Sequence, residues 1–132
     1  MPAQSSFEYA IVRVVPRVER GERINAGVIL HCAAHDYLGA RIELDEPRLL
    51  AIAPDVDLEA VHRHLVAIPR VCEGGPGAGP IGQLSRKERF SWLVSTRSTM
   101  IQTSATHVGL CDAPDVVIER LLDKLVRPLR PR

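Results

Sequence analysis

The hydrophobic pattern along the chain changes period twice, and those changes divide it into elements. Residues 7–15, FEYAIVRVV, alternate and are rich in β-branched and aromatic side chains, which predicts a strand. Phe7, Tyr9, Ile11, Arg13 and Val15 then share one face, and Glu8, Ala10, Val12 and Val14 the other. Pro16 ends this strand because proline cannot donate to the next ladder bond. INAGVILHC, 24–32, resumes as a second strand with Ile24, Ala26, Val28 and Leu30 expected on one side. After a turn at His35-Asp36, HDYLGARIEL supplies a third. Three neighbouring strands on short connections predict an antiparallel meander.

Helical spacing then takes over. DEPRLLAIA, 45–53, fits one or two turns, with Pro47 near the first helical position. DLEAVHRHLVAI, 57–68, sets Leu58, Val61, Leu65 and Ile68 on one face behind Asp57 as N-cap. CEGGPGAGPIGQ, 72–83, reads as a loop. Ser85-Arg-Lys-Glu88 is a capping box, opening a helix that turns Phe90, Leu93 and Val94 inward. TMIQTSA, 99–105, alternates again as a fourth strand, and residues 106–111 read as loop around Gly109. Residues 112–126 close the chain as an amphipathic helix packing Val117, Leu121, Leu122 and Leu125, with Asp112 before it. The order βββ-α-α-β-α predicts an α+β class: an antiparallel sheet of about four strands with helices packed on one face. One domain over 1–132 is expected, with an ordered core at about 7–126 and a basic Pro/Arg tail at 127–132.

Composition changes this picture little. Aromatics are scarce, so the core must come from Val, Ile, Leu and Ala. The formal net charge is +1 with acids and bases interleaved, which disfavours nucleic acid, whose phosphates call for a basic excess. No apolar run approaches the roughly 20 residues of a membrane helix, and no signal peptide is legible. Cys32, Cys72 and Cys111 are odd in number and scattered, unlike a secreted disulfide framework, so a cytoplasmic location is expected.

The candidate chemistry thins out under spacing tests. Gly77-Ala-Gly79-Pro-Ile-Gly82 spells a dinucleotide fingerprint, but a helix precedes it and prolines interrupt it, so no cofactor is expected. Among His31, Cys32, His35, Cys72, His107 and Cys111, none pairs at a zinc-like spacing, so no metal is expected. No nucleophile elbow or cysteine-protease signature occurs, and the reading leans away from an enzyme. What remains is polar. Arg13 sits mid-strand among apolar neighbours, an expensive place for an unpaired guanidinium. Glu22, Arg23 and Asn25 stand on the facing hairpin arm, where Glu22 could accept charge-assisted bonds from it and Asn25 could bridge backbone groups at the strand entry. That cluster either fixes hairpin register or grips a partner protein. A second set, Arg97, Ser98, Gln102, Ser104 and His107, offers an alternative ligand pocket with Arg97 holding an anion and His107 moving a proton.

Three blocks, YAIVRVVPRVERGERINAGVIL, GPIGQLSRKERFSWLVSTRST and QTSATHVGL, together resemble the bacterial family catalogued as domain of unknown function 3037, over about residues 7–126. The first block is the most specific: strand, Pro16, Gly21-Glu22, then Asn25-Ala26-Gly27 opening an apolar strand. In the third, Ala105 and Val108 stand where the family commonly carries proline and threonine. The resemblance implies a cytoplasmic protein with no established activity. Genes of this family can neighbour a HipA-like kinase gene, which implies a partner and not a chemistry. The combined expectation is a small cytoplasmic interaction or regulatory module that binds another protein through its sheet and first hairpin, with room for a homo-oligomer.

Overall fold

The computed structural model describes residues 4–95 and 99–129. Along them run β1 (Ser5–Val14), β2 (Ile24–Cys32), β3 (Tyr37–Ile42), α1 (Glu46–Ile52), α2 (Leu58–Glu73), α3 (Arg86–Leu93), β4 (Ile101–Thr103), β5 (His107–Cys111) and α4 (Pro114–Leu125). The sheet order is β3-β2-β1, and β4 and β5 both pair with the outer edge of β1; every pairing is antiparallel. The α+β class and the antiparallel meander are as the sequence predicts.

The stretch expected to be a loop around Gly109 is a fifth strand. Its register and that of β4 differ by one residue: Val12 faces Thr103, whereas Tyr9 faces His107. The two strands are thus one edge strand interrupted by a bulge at 104–106. Ser104 repairs the ladder there. Its Oγ accepts from the Ile11 amide at 2.8 Å, its amide donates to the Ile11 carbonyl at 2.9 Å, and its hydroxyl donates to Ala105.

A second bulge decides the faces of the sheet. Val12 faces Gly27 but Arg13 faces Asn25, so Ala26 is an extra residue on β2. Gly27 belongs at this crowded point, since a Cβ there would meet the Arg41 carbonyl oxygen at 2.6 Å. The extra residue reverses the alternation. Ile24 and Ala26 join Val12, Val14 and Ile29 beneath Leu49 of α1, Val61 and Leu65 of α2, and Phe90 of α3. Val28, Leu30 and Cys32 face the other way with Phe7, Ile118 and Leu122. The expected single row of Ile24, Ala26, Val28 and Leu30 is therefore split between the two faces, and α4 lies opposite α1–α3. Two helical layers bury both faces of β2, which explains its nearly unbroken apolar run.

The starts of α1, α2 and α3 follow local chemistry, whereas α4 starts behind Ala113 with no side-chain cap. Asp45 and Asp57 accept from the amides of Arg48 and Ala60, and Ser85 and Glu88 form the complete capping box. The ends do not. α2 runs through Pro69 to Glu73, five residues beyond the expected stop, because Val71 and Cys72 are buried in the core. The following residues, Pro76–Gln83, are 3-10 turns broken at Gly79 and not an irregular loop. In α4 the buried positions are Ile118 and Leu122, with Val117, Leu121 and Leu125 flanking them. Burying each of these two contributes about 2 kcal/mol to holding the helix on the sheet.

Candidate functional site: the polar seam at the hairpin end

The bulge at Ala26 turns Asn25 towards α4, on the face where Arg13 also lies. Arg13 Nε donates to Asn25 Oδ1 at 3.4 Å, and Asn25 Nδ2 donates to the Leu125 carbonyl at 2.9 Å. A helix leaves its last carbonyls without internal partners. Asn25 therefore serves as a C-terminal cap delivered from a strand, and Arg13 helps to hold its amide in the required orientation. Burial lowers the Arg13 guanidinium below its usual pKa, and the neighbouring Arg23 adds repulsion. Arginine nevertheless stays protonated.

Glu22 does not supply the counter-charge expected of it. Its carboxylate takes Arg20, two residues before it in the turn. The pair is exposed, so proximity along the chain wins over reaching across the hairpin. Arg17 in the same turn pairs with Asp55 at 2.6 Å and ties the hairpin to the connection between α1 and α2.

Beside Asn25 opens a concavity of about 390 Å³ whose lining includes Arg48, Lys124, Arg127 and Leu129. Arg127 is fully engaged, reaching Glu43 at 3.0 Å, Glu119 at 2.6 Å and Asp123 at 3.2 Å, and these carboxylates raise its pKa. Among the described residues, Arg13, Arg23, Arg48 and Lys124 have no carboxylate within ion-pair distance. The seam thus combines one neutralised cation, Arg127, with four that have no carboxylate partner among the described residues.

The described members of the second predicted set, Gln102, Ser104 and His107, are not gathered at one point. Arg97 and Ser98 lie outside the described residues. Gln102 is opposite Arg13 in the sheet and donates to the Thr99 carbonyl at 2.9 Å. Ser104 is buried and its hydroxyl is engaged in the bulge. His107 is exposed on β5, its ring 5.2 Å from that of Tyr9. The glycine-rich turns join two helices, without the strand-to-helix setting that a dinucleotide site requires. His31 and Cys32 point to opposite faces, His31 stacking on Phe90 at 5.4 Å and Cys32 lying in the α4 core. Burial pushes the Cys72 thiol up to about 12, which keeps it from being a nucleophile near neutral pH.

Sequence reasoning missed one residue of structural weight. Arg89 is buried, and its guanidinium donates to the carbonyls of Val71 at 2.8 Å, Cys72 at 2.6 Å and Leu84 at 3.1 Å. It closes the end of α2 from within α3. Its only local signal is its place beside Phe90 in an otherwise charged first turn, which any surface arginine would share.

The family described as "Protein of unknown function (DUF3037)" matches residues 9–126, and the chain belongs to it. No curated protein and no solved structure matches the chain. No helix among the described residues is long and apolar enough to cross a membrane.

Proposed function

We propose that this member of the family is a small regulatory interaction module that grips an acidic segment of another protein at the hairpin end of its sheet. The observation that carries the reading is the grouping of unpaired cations around one concavity. Arg17, Arg20, Arg41 and Arg127 all have carboxylate partners, whereas Arg13, Arg23, Arg48 and Lys124, grouped around Asn25, have none among the described residues. Unpaired cations beside a concavity favour an anionic guest, and carboxylates match guanidinium donors in geometry as well as charge. The chain's net charge of +1 favours a short acidic segment over a polyanion that needs many phosphate contacts. The odd, scattered cysteines favour a reducing cytoplasm for this work.

The small-ligand or enzymatic alternative at Arg97, Ser98, Gln102, Ser104 and His107 has weaker support. Ser104 is committed to the backbone of Ile11, and Gln102 sits at the level of Arg13 and not of His107.

A fluorescent glutamate-rich decapeptide titrated into the folded protein tests the proposal. Arg13→Gln combined with Lys124→Gln should weaken binding on the order of tenfold, with the loss shrinking at high salt. Equal binding by the variant, or no binding by the wild type, would refute the acidic-segment reading. Co-purification from the native host then identifies the partner, and the HipA-like kinase implied by the family resemblance is the first prey to examine.

A further inference from the structure

The other end of the sheet carries an edge with no protection among the described residues. In β1 the odd-numbered residues direct their backbone groups towards β4 and β5: Val15 N donates to Met100 at 2.7 Å, and Ile11 exchanges bonds with Ser104. The even-numbered ones face β2, as the Cys32 thiol reaching the Ser6 carbonyl confirms. Phe7 and Tyr9 therefore pair through hydrogen bonds with Gly109 and His107. That leaves the N–H and C=O groups of Val108 and Leu110 pointing out of the sheet, with no bonding partner among the described residues.

Their side chains are exposed as well, Val108 at 72% and Leu110 at 64%. Edge strands are normally guarded by charge, proline, a bulge or a covering element. β5 has no Lys, Arg, Asp, Glu or Pro, and its bulge falls before it, at 104–106. The opposite edge is different: β3 carries Arg41, tied to Glu119 of α4 at 2.9 Å.

We propose that β5 is a dimerisation edge that pairs antiparallel with β5 of a second copy, about a two-fold axis through Gly109. The strand is its own complement in that register. Val108 falls opposite Leu110 of the second copy, so the four outward N–H groups of the two strands meet four outward carbonyls. The exposed side chains of Val108 and Leu110 then pack on each other across the seam, on the same face. Gly109 sits at the axis and can carry no side chain, because a Cβ there would lie 2.5 Å from the Phe7 ring. No like charges meet along the strand, and a net charge of +1 per chain opposes association little. A foreign strand could use the same hydrogen bonds, but the symmetric placement of Val108 and Leu110 about a glycine is what a second copy reads.

Sedimentation equilibrium of the full chain from about 10 to about 500 μM tests the proposal, since mass action should raise the dimer fraction across that range. Val108→Pro removes an outward donor that bonds nothing within the protomer, and Leu110→Lys places a charge on each side of the seam. Both variants should be monomeric throughout, with melting curves that match the wild type's at low concentration, where it too is monomeric. Mixing Val108→Cys with Leu110→Cys protein under oxidation should give the mixed disulfide in preference to either homodimer, because these Cα atoms would be about 5.5 Å apart. A wild type that stays monomeric, association that survives both edge variants, or cross-linking with no preference for the mixed pair would each overturn it. Arg13→Gln with Lys124→Gln should still dimerise, which separates this result from the acidic-segment reading.

Discussion

Two helices in this protein end against groups brought from far along the chain, and the two ends are built differently. At the end of α2, the Arg89 guanidinium is buried and takes three carbonyls at once. At the end of α4, the neutral Asn25 amide takes the single Leu125 carbonyl, and the half-buried Arg13 only steadies that amide through one long bond. The first end consumes its cation internally. The second delegates the capping to an amide and leaves most of a guanidinium, with Arg23 near it, available to something outside. A buried cation bound to three carbonyls holds a fold together, whereas a cation with idle donors at a surface can recognise a partner.

The sharpest way to break this comparison is Arg89→Met. Losing charge-assisted bonds while leaving buried carbonyls unsatisfied should cost about 3 kcal/mol, read as a lower midpoint in urea. Asn25→Ala removes the bond to the Leu125 carbonyl and the long one from Arg13 at a part-buried site, and should cost about 1 kcal/mol by the same measurement. If the two losses proved equal, the ends would be equivalent and the contrast would fail.

A pH titration probes the interior beside Arg89. Burial lowers the His31 pKa; Glu8 raises it, and Lys87 and Arg86 oppose Glu8. The unfolded chain therefore takes up a proton first, near the ordinary histidine value of about 6.5. Stability is fully present above that value and is lost as pH falls through it towards the lower folded value. His31→Phe should flatten the decline between about pH 7 and about pH 5.5 in pH-dependent melting. A wild-type curve that matched the variant would remove His31 from the account. The smallest effect is expected for Glu22→Ala. Its ion pair with Arg20 is exposed, so stability should shift by no more than the error of the measurement. A larger loss would restore Glu22 as a partner of the seam.

The helix beginnings were legible because their causes are local: Asp57 is three residues from the amide it caps, and Ser85 and Glu88 answer each other across the same interval. Arg13 stood out as needing partners, and Asn25 as one supplier, since a polar residue in an apolar strand must be satisfied by something. Their real connection was not legible, because the carbonyl that Asn25 caps is 100 residues away. Glu22 looked suitable on the facing arm, yet Arg20 was nearer. β5 escaped notice because Gly109 and a lone histidine look like loop, and because its apolar pair faces outward, against the usual sense of alternation.

The sequence by itself determined the α+β class, the meander, the helix starts and the apolar stock of the core, all of which rest on periodicity and on contacts within one turn. Only the tertiary structure decided which face each β2 residue serves, where α2 stops, and which cations are neutralised. A bulge inserts a residue without altering composition, and a cap or ion pair forms between whichever groups the packed sheet brings within about 3 Å. Those meetings depend on strand register, which one extra residue at Ala26 is enough to reverse.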